Sequence, residues 1–313
     1  MARTLRYVPE RGSVVEVTVR THQSQLLLRP SPTLNEIVGG VLGRAQDKVP
    51  VRCHAAVVLG NHYHLLLSVE DAKELSDFMR YLNTNLALEI NRLHRRRGAV
   101  WGGRYRAILV SNEEKAQVGR LQYLLAHGVK EGLVAHAREW PGIHCVREIL
   151  AGEPIRGLWF DRTQEYAARN RGEELSRLKY ASAESFELTP LPCWAHLPAE
   201  AYRQQVAALV EQVEIEAAAE LAKRGRGPLG VAGVLRQSPE TRPIRSKRSP
   251  APLYHAATRA VRKAFWEAYC LFVSAFRDAS ERLRAGDRMA RFPLGSFPPG
   301  LPFVTADAIG PPL

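Results

Sequence analysis

The sequence is poor in cysteine and makes no local use of what it has. Cys53, Cys145, Cys193 and Cys270 are widely spaced and form no C-x-x-C pair, which argues against a zinc ribbon and against a disulfide scaffold. No apolar run reaches the roughly 18 residues that a membrane span needs, and no apolar signal region opens the chain. These absences predict a soluble, cytoplasmic protein that does not enter a membrane. No internal repeat is present. Acidic residues are the minority charge, 32 Asp and Glu against 44 Lys and Arg, which leaves a formal +12 and a pI of about 9.8. The surplus favours polyanionic partners, nucleic acid first and an acidic membrane surface second. A generically basic soluble protein is the plain alternative.

What is there is enough for a sizeable core. The chain has 313 residues, 45% of them hydrophobic, so it can hold more than one domain. Val14-Val15-Glu16-Val17-Thr18-Val19 alternates and is β-branched, which predicts a strand. Ser31-Pro32-Thr33 opens a helix with Leu34, Ile37, Val38, Val41, Leu42 and Ala45 on its apolar stripe. Gly39-Gly40 either weakens that helix or marks a close packing contact. Val51 to Leu59 reads as a second strand. A long helix is expected from about Asp71 to Arg96, with Leu75, Phe78, Met79, Leu82, Leu86, Ile90 and Leu93 on one buried face. Tyr105 to Val110 reads as another strand, and Ser111-x-x-Glu114 as a capping box that starts a helix ending near His127-Gly128. The order β-α-β-β-α-β-α predicts an α+β class, a ferredoxin-like antiparallel sheet with helices on one face.

The most informative stretch is Val57-Val58-Leu59-Gly60-Asn61-His62-Tyr63-His64-Leu65-Leu66-Leu67. Gly-Asn between two apolar runs is a hairpin turn. In the second strand His62 and His64 point to one face and Tyr63 to the other, toward the core. Two imidazoles on one strand face form a half-site for a divalent metal. The plain alternative is two polar residues on the solvated side of a sheet. On the helix after the capping box, Tyr123 and His127 are i, i+4 neighbours away from the leucine stripe. His127 is suited to be a third ligand, and Tyr123 would then be held against the metal. A phenol has a pKa near 10, and a metal that draws charge from a phosphate makes it a feasible nucleophile near neutral pH. An exposed site of this kind on a basic protein suits strand transfer on DNA better than hydrolysis of a small ester.

The chain here resembles the REP-associated and related single-tyrosine transposases of the HUH class. The matching residues are Leu59 to Leu67, then Trp101-Gly102-Gly103-Arg104-Tyr105, then Leu121-Gln122-Tyr123-Leu124-Leu125-Ala126-His127-Gly128-Val129-Lys130-Glu131-Gly132-Leu133-Val134, within residues 13 to 150 or so. The resemblance implies that His62 and His64 bind Mg²⁺ or Mn²⁺, that Tyr123 is the nucleophile, and that a ligand follows four residues later. That position usually holds Asn or Gln in the family and holds His127 here. It further implies a metal-dependent single-strand DNA transesterase that cleaves and rejoins hairpin-forming DNA through a 5′-phosphotyrosine. A monomer or homodimer, associated with the nucleoid when bound to DNA, is expected.

Arg92, Arg95, Arg96, Arg97, Arg104 and Arg106 would grip phosphates, or form a solvated charge run. Trp101 and Tyr105 among them could stack on unpaired bases, or simply pack. The expected organisation is a transposase-like domain over 1–150, a helical extension over 151–222, a basic Gly/Pro-rich linker over 223–253 that includes Arg245-Ser246-Lys247-Arg248, and a C-terminal helix with an irregular tail over 254–313. Residues 131–160 are expected to be irregular, with helices at about 162–179, 199–223 and 254–285. Two readings of other classes stay open: a catalytically silent or domesticated DNA-binding protein on the same scaffold, and an RNA-binding ferredoxin-like module, which would place aromatics where the histidines stand. A histidine-triad hydrolase is disfavoured by Leu66, where a third alternating His would be needed.

Overall fold

The computed structural model describes residues 5–173, 176–242 and 252–297. The Arg245-Ser246-Lys247-Arg248 cluster and the end of the tail, residues 298–313, lie outside them.

The alternating valines near the N-terminus form β1 (Ser13–Arg20), the middle strand of a five-stranded sheet. Ser31 caps α1 (Pro32–Lys48) by accepting from the Leu34 N–H at 3.2 Å. The hairpin follows as β2 (Arg52–Leu59) and β3 (His62–Val69). Asp71 caps α2 (Ala72–Leu93), accepting from the Glu74 N–H at 2.7 Å, and β4 (Arg106–Val110) returns beside β1. The antiparallel order β2-β3-β1-β4 is that of the expected ferredoxin-like α+β sheet.

Residue parity divides the sheet into two faces. Val15, Val17, Val19, Tyr63, Leu65 and Leu67 face α1 and α2, where they meet Ile37, Val41, Phe78, Leu82 and Ile90. Burial of each such side chain contributes roughly 1.5–3 kcal/mol. Val14, Val57, Leu59, Leu66 and Val110 face the other way, against Leu121, Leu124 and Leu125 of α3 (Glu114–Leu125). The second face is covered as well, so α1 and α2 share one face as expected while α3 closes the other. Behind α3 lie α4 (Val146–Ala151) and, further along the chain, α6 (Ala199–Lys223), whose Val206, Val210 and Val213 extend this second core.

Several segments differ from expectation. The region expected to be irregular contains α4 and β5 (Ile155–Phe160). After α5 (Arg162–Asn170), β6 (Ala181–Phe186) pairs antiparallel with β5. This two-stranded ribbon lies on the outer side of α1 at the Gly39-Gly40 pair. A Cβ at Gly39 would stand 2.2 Å from the Arg156 carbonyl oxygen, and one at Gly40 2.1 Å from the Leu158 carbonyl carbon. The glycines therefore mark close packing. The capping box does not form. Ser111 Oγ donates to Glu113 Oε2 at 2.8 Å, and Glu113, the N-cap, uses that oxygen to accept from the Ala257 N–H at 2.8 Å.

Part of the segment expected as a linker is packed. In it α7 (Val231–Arg236) buries Val234, and the Leu229 N–H donates to the Gly132 carbonyl at 2.8 Å. A fifth strand, β7 (Tyr254–His255), adds parallel to β4. The chain then enters α8 (Arg259–Arg284), capped by Thr258. No described helix is long and apolar enough to cross a membrane.

Candidate active site

The site lies on the second face of the sheet, where α3 crosses β3. Strand parity brings His62 and His64 to this face beside Arg20 and Thr18, their partners on β1. Tyr63 goes to the opposite core, where its hydroxyl donates to Asn83 Oδ1 at 2.9 Å. The α-helix ends at Leu125, and His127 sits in the tighter turn that follows, with its N–H on the Leu124 carbonyl at 3.1 Å. Gly128 takes φ +88° and stops the helix as its sequence predicts. That turn drives the imidazole down onto the sheet rather than out to solvent.

The three rings converge. Their centroids are 5.1 Å apart for His62 and His64, 5.9 Å for His62 and His127, and 4.4 Å for His64 and His127. One nitrogen from each lies within 4.8 Å of the others. Tyr123 stands edge-on to His127 at 4.8 Å and to His64 at 5.9 Å, all within one chain. The histidine cluster is less open than expected, since His64 and His127 are 5% and 1% exposed, whereas Tyr123 is 39% exposed at its rim. α3 roofs the histidines, and its C-terminal turn leaves the phenol at the edge.

Each imidazole is oriented through Nδ1. Asn61 Oδ1 is 2.6 Å from Nδ1 of His62, Glu16 Oε1 is 2.8 Å from that of His64, and the Tyr123 carbonyl is 2.9 Å from that of His127. At His62 and His64 the acceptors assign the proton to Nδ1 and leave Nε2 for a ligand; at His127 the Tyr123 carbonyl at 2.9 Å lies nearer Nδ1 than the Lys130 ammonium at 3.3 Å and favours the same tautomer. Burial lowers the pKa of all three, to about 3 for His64, with neighbouring cations and imidazoles adding to it. They are neutral at physiological pH, the state that binds metal.

Cations surround the phenol. The Lys130 ammonium lies 3.5 Å from the Tyr123 ring centroid and 3.3 Å from His127 Nδ1, and the Arg120 guanidinium lies 4.4 Å from the same ring. Burial raises the Tyr123 pKa, opposed by Arg120 and, more weakly, Arg20. Burial also lowers Lys130 to about 8.

Of the arginines singled out from sequence, Arg106 shares this face, opposite Thr18. The others do not gather here. Arg92 pairs with Glu165, in a network where Arg177 reaches both Glu165 and buried Glu89. Arg95 takes a left-handed φ of 48° past the end of α2, Arg96 donates to the Ala99 carbonyl at 3.3 Å, and Arg97 and Arg104 are exposed. Trp101 stands edge-on to Tyr63 at 5.6 Å and donates to the Asn83 carbonyl at 2.9 Å. Tyr105 lies under Arg6, 3.8 Å from its ring. Both aromatics pack against the α1/α2 core, on the side of the sheet away from the histidines.

Sequence reasoning missed Glu16, Arg20, Arg120 and Lys130. Arg120 and Tyr123 are i, i+3 on one helix, which is a readable neighbourhood. Glu16 and Arg20 become neighbours of the histidines only through strand pairing.

Comparison with known proteins gives one family. Its sequence model, described as "Transposase IS200 like", matches residues 22–123, a span that holds His62, His64 and Tyr123. No curated protein matches the chain. Among solved structures, a REP-associated tyrosine transposase bound to a REP hairpin aligns at 20% identity and TM-score 0.41, over 48% of this chain and 86% of its own. A candidate transposase from Deinococcus radiodurans aligns at 17% identity and TM-score 0.28, over 40% of this chain and 95% of its own. What these comparisons support is a likeness to the IS200-like transposase family over residues 22–123 of this chain.

Proposed function

We propose that the chain is a metal-dependent single-strand DNA transesterase with Tyr123 as its nucleophile. Tyr123 Oη attacks a phosphodiester and the P–O3′ bond breaks. A 5′-phosphotyrosine forms, the phenol gives up its proton, and the 3′ oxygen leaves as a hydroxyl. The covalent link keeps the energy of the ester, so a 3′-OH can attack it and restore the phenol without ATP. The observation that supports this most is the convergence of three imidazoles beside one partly exposed tyrosine.

His62, His64 and His127 are the residues that would hold a divalent ion, and they fit one: each has a partner at Nδ1 and keeps Nε2 for a ligand. An all-nitrogen donor set suits Mn²⁺ better than Mg²⁺, which prefers oxygen. Such an ion, when bound, draws charge from the scissile phosphate. Arg120 and Lys130 hold positive charge against the phenol as it becomes a phenoxide. Arg20 and Arg106, both exposed on this face, are placed to hold phosphates and fix register without reading bases. A hairpin-forming single strand is the substrate implied by the resemblance.

The test is covalent trapping. The protein is incubated with Mn²⁺ and single-stranded hairpin oligonucleotides from its own genomic flanks and run on a denaturing gel. A shifted band is expected, absent in Tyr123→Phe and absent in EDTA. Hairpin binding with no such band in Mn²⁺ or Mg²⁺ would overturn the reading in favour of a catalytically silent DNA-binding protein.

A further inference from the structure

Glu16 is a buried carboxylate on the sheet face that carries His62 and His64. It sits on the middle strand, opposite Leu66 on one side and Ile108 on the other, and is 1% exposed. A buried carboxylate is costly unless it is paired. Here each oxygen has a different partner. Oε1 is 2.8 Å from His64 Nδ1, and Oε2 is ion-paired with Arg120. Arg120 stands three residues before Tyr123 on α3 and lies over its ring. One carboxylate thus touches the imidazole of β3 and the guanidinium that flanks the phenol.

We infer that Glu16 is a positioning residue that ties the metal half-site on β3 to the nucleophile-bearing helix and sets the affinity for the metal. The inference rests on the metal reading proposed above and deepens it. Its physical basis is twofold. A carboxylate at Nδ1 fixes the tautomer and ring orientation and makes Nε2 a stronger donor. Of the three acceptors at Nδ1, Glu16 alone is charged, the others being the Asn61 amide and the Tyr123 carbonyl. Glu16 also neutralises Arg120. Without it an uncompensated guanidinium would stand close to the ligands and oppose cation binding. Loss of orientation and loss of charge act in the same direction. Arg120 carries the other half of the arrangement, since it transmits the position of Glu16 to Tyr123.

The experiment measures Mn²⁺ binding without DNA, from the EPR signal of free Mn²⁺, on the full chain. His62→Ala serves as the ligand-loss control, and thermal unfolding checks the fold of each variant. Glu16→Gln keeps the shape and an acceptor for Nδ1 but not the charge, and is expected to raise the Kd for Mn²⁺ by about 10- to 100-fold. The double variant Glu16→Gln/Arg120→Met removes both charges, so it guards against misfolding caused by an unpaired guanidinium. Its Kd is expected to stay at least 10-fold above wild type. Arg120→Met alone keeps Glu16 and is expected to hold the Kd within about 3-fold while adduct formation falls at least 10-fold. A merely structural Glu16 would not produce that split between metal affinity and adduct formation. Wild-type affinity in both Glu16 variants, with binding lost in His62→Ala, would overturn the inference and leave the metal reading standing. Absence of Mn²⁺ binding by the wild type would overturn both, and is distinguished by that result alone.

Discussion

Two buried histidines outside the proposed metal set should make this protein acid-sensitive well above the range where carboxylates titrate. His54, on β2, has Nδ1 at 3.1 Å from the Thr189 carbonyl and Nε2 at 2.8 Å from Ser68 Oγ. His144 accepts from the Val146 N–H at 3.4 Å. Burial lowers each from 6.5 to about 4, only partly offset by carbonyls of Thr189 and Pro190 for His54 and of His127 and Leu125 for His144. Both are neutral when folded, and in the unfolded chain both take up a proton near pH 6.5. The unfolded state therefore binds more protons between pH 6.5 and 4. Stability is full above 6.5 and falls as the pH drops through that window. For one histidine the linkage amounts to about 2 kcal/mol at pH 5 and roughly 3 kcal/mol below pH 4. The pair would cost about 4 kcal/mol at pH 5, against a total of 5–15 kcal/mol typical of a domain. Urea unfolding at pH 8 and pH 5 measures it. His54→Asn cannot gain a proton, so its loss between the two pH values should be about 2 kcal/mol smaller than that of wild type. An equal loss in wild type and variant would refute the argument, because it would mean that His54 is protonated when folded.

Two further outcomes test packing and the choice of tyrosine. Gly40→Ala puts a methyl against the Leu158 backbone, where neither side can yield without moving α1 off the ribbon, and should cost about 1–3 kcal/mol or more by urea unfolding. Tyr63→Phe, beside the histidines in sequence but on the far side of the sheet, loses its bond to Asn83. It should cost about 1 kcal/mol in the same assay and leave the covalent DNA adduct intact; loss of the adduct would put the nucleophile in the wrong place.

The sequence by itself determined the elements whose periodicity is strong: β1 to β4, the helices over α1, α2, α6 and α8, and the ferredoxin-like order they imply. It also determined two local facts of the site, since parity alone sets His62 and His64 on one face with Tyr63 on the other, and the i, i+4 spacing brings Tyr123 near His127, although His127 itself sits in the tighter turn past the end of α3. These follow from backbone geometry over a few residues, which needs no knowledge of the rest of the chain. The β5–β6 ribbon escaped because Gly157 and the Ala/Ser-rich Ala181–Phe186 carry little strand propensity, and the ribbon is stabilised by its seat on the glycines of α1. Ser111-x-x-Glu114 does not act as a capping box because Glu113, one residue before Glu114, is drawn to the backbone of Ala257, far along the chain. The tertiary structure alone decided that the site is roofed by α3, that Trp101 and Tyr105 lie on the other face, and that Glu16 meets both His64 and Arg120. Residues 16, 64 and 120 belong to three separate elements, and only the register of β1 against β3 and the seating of α3 on that face bring them into contact.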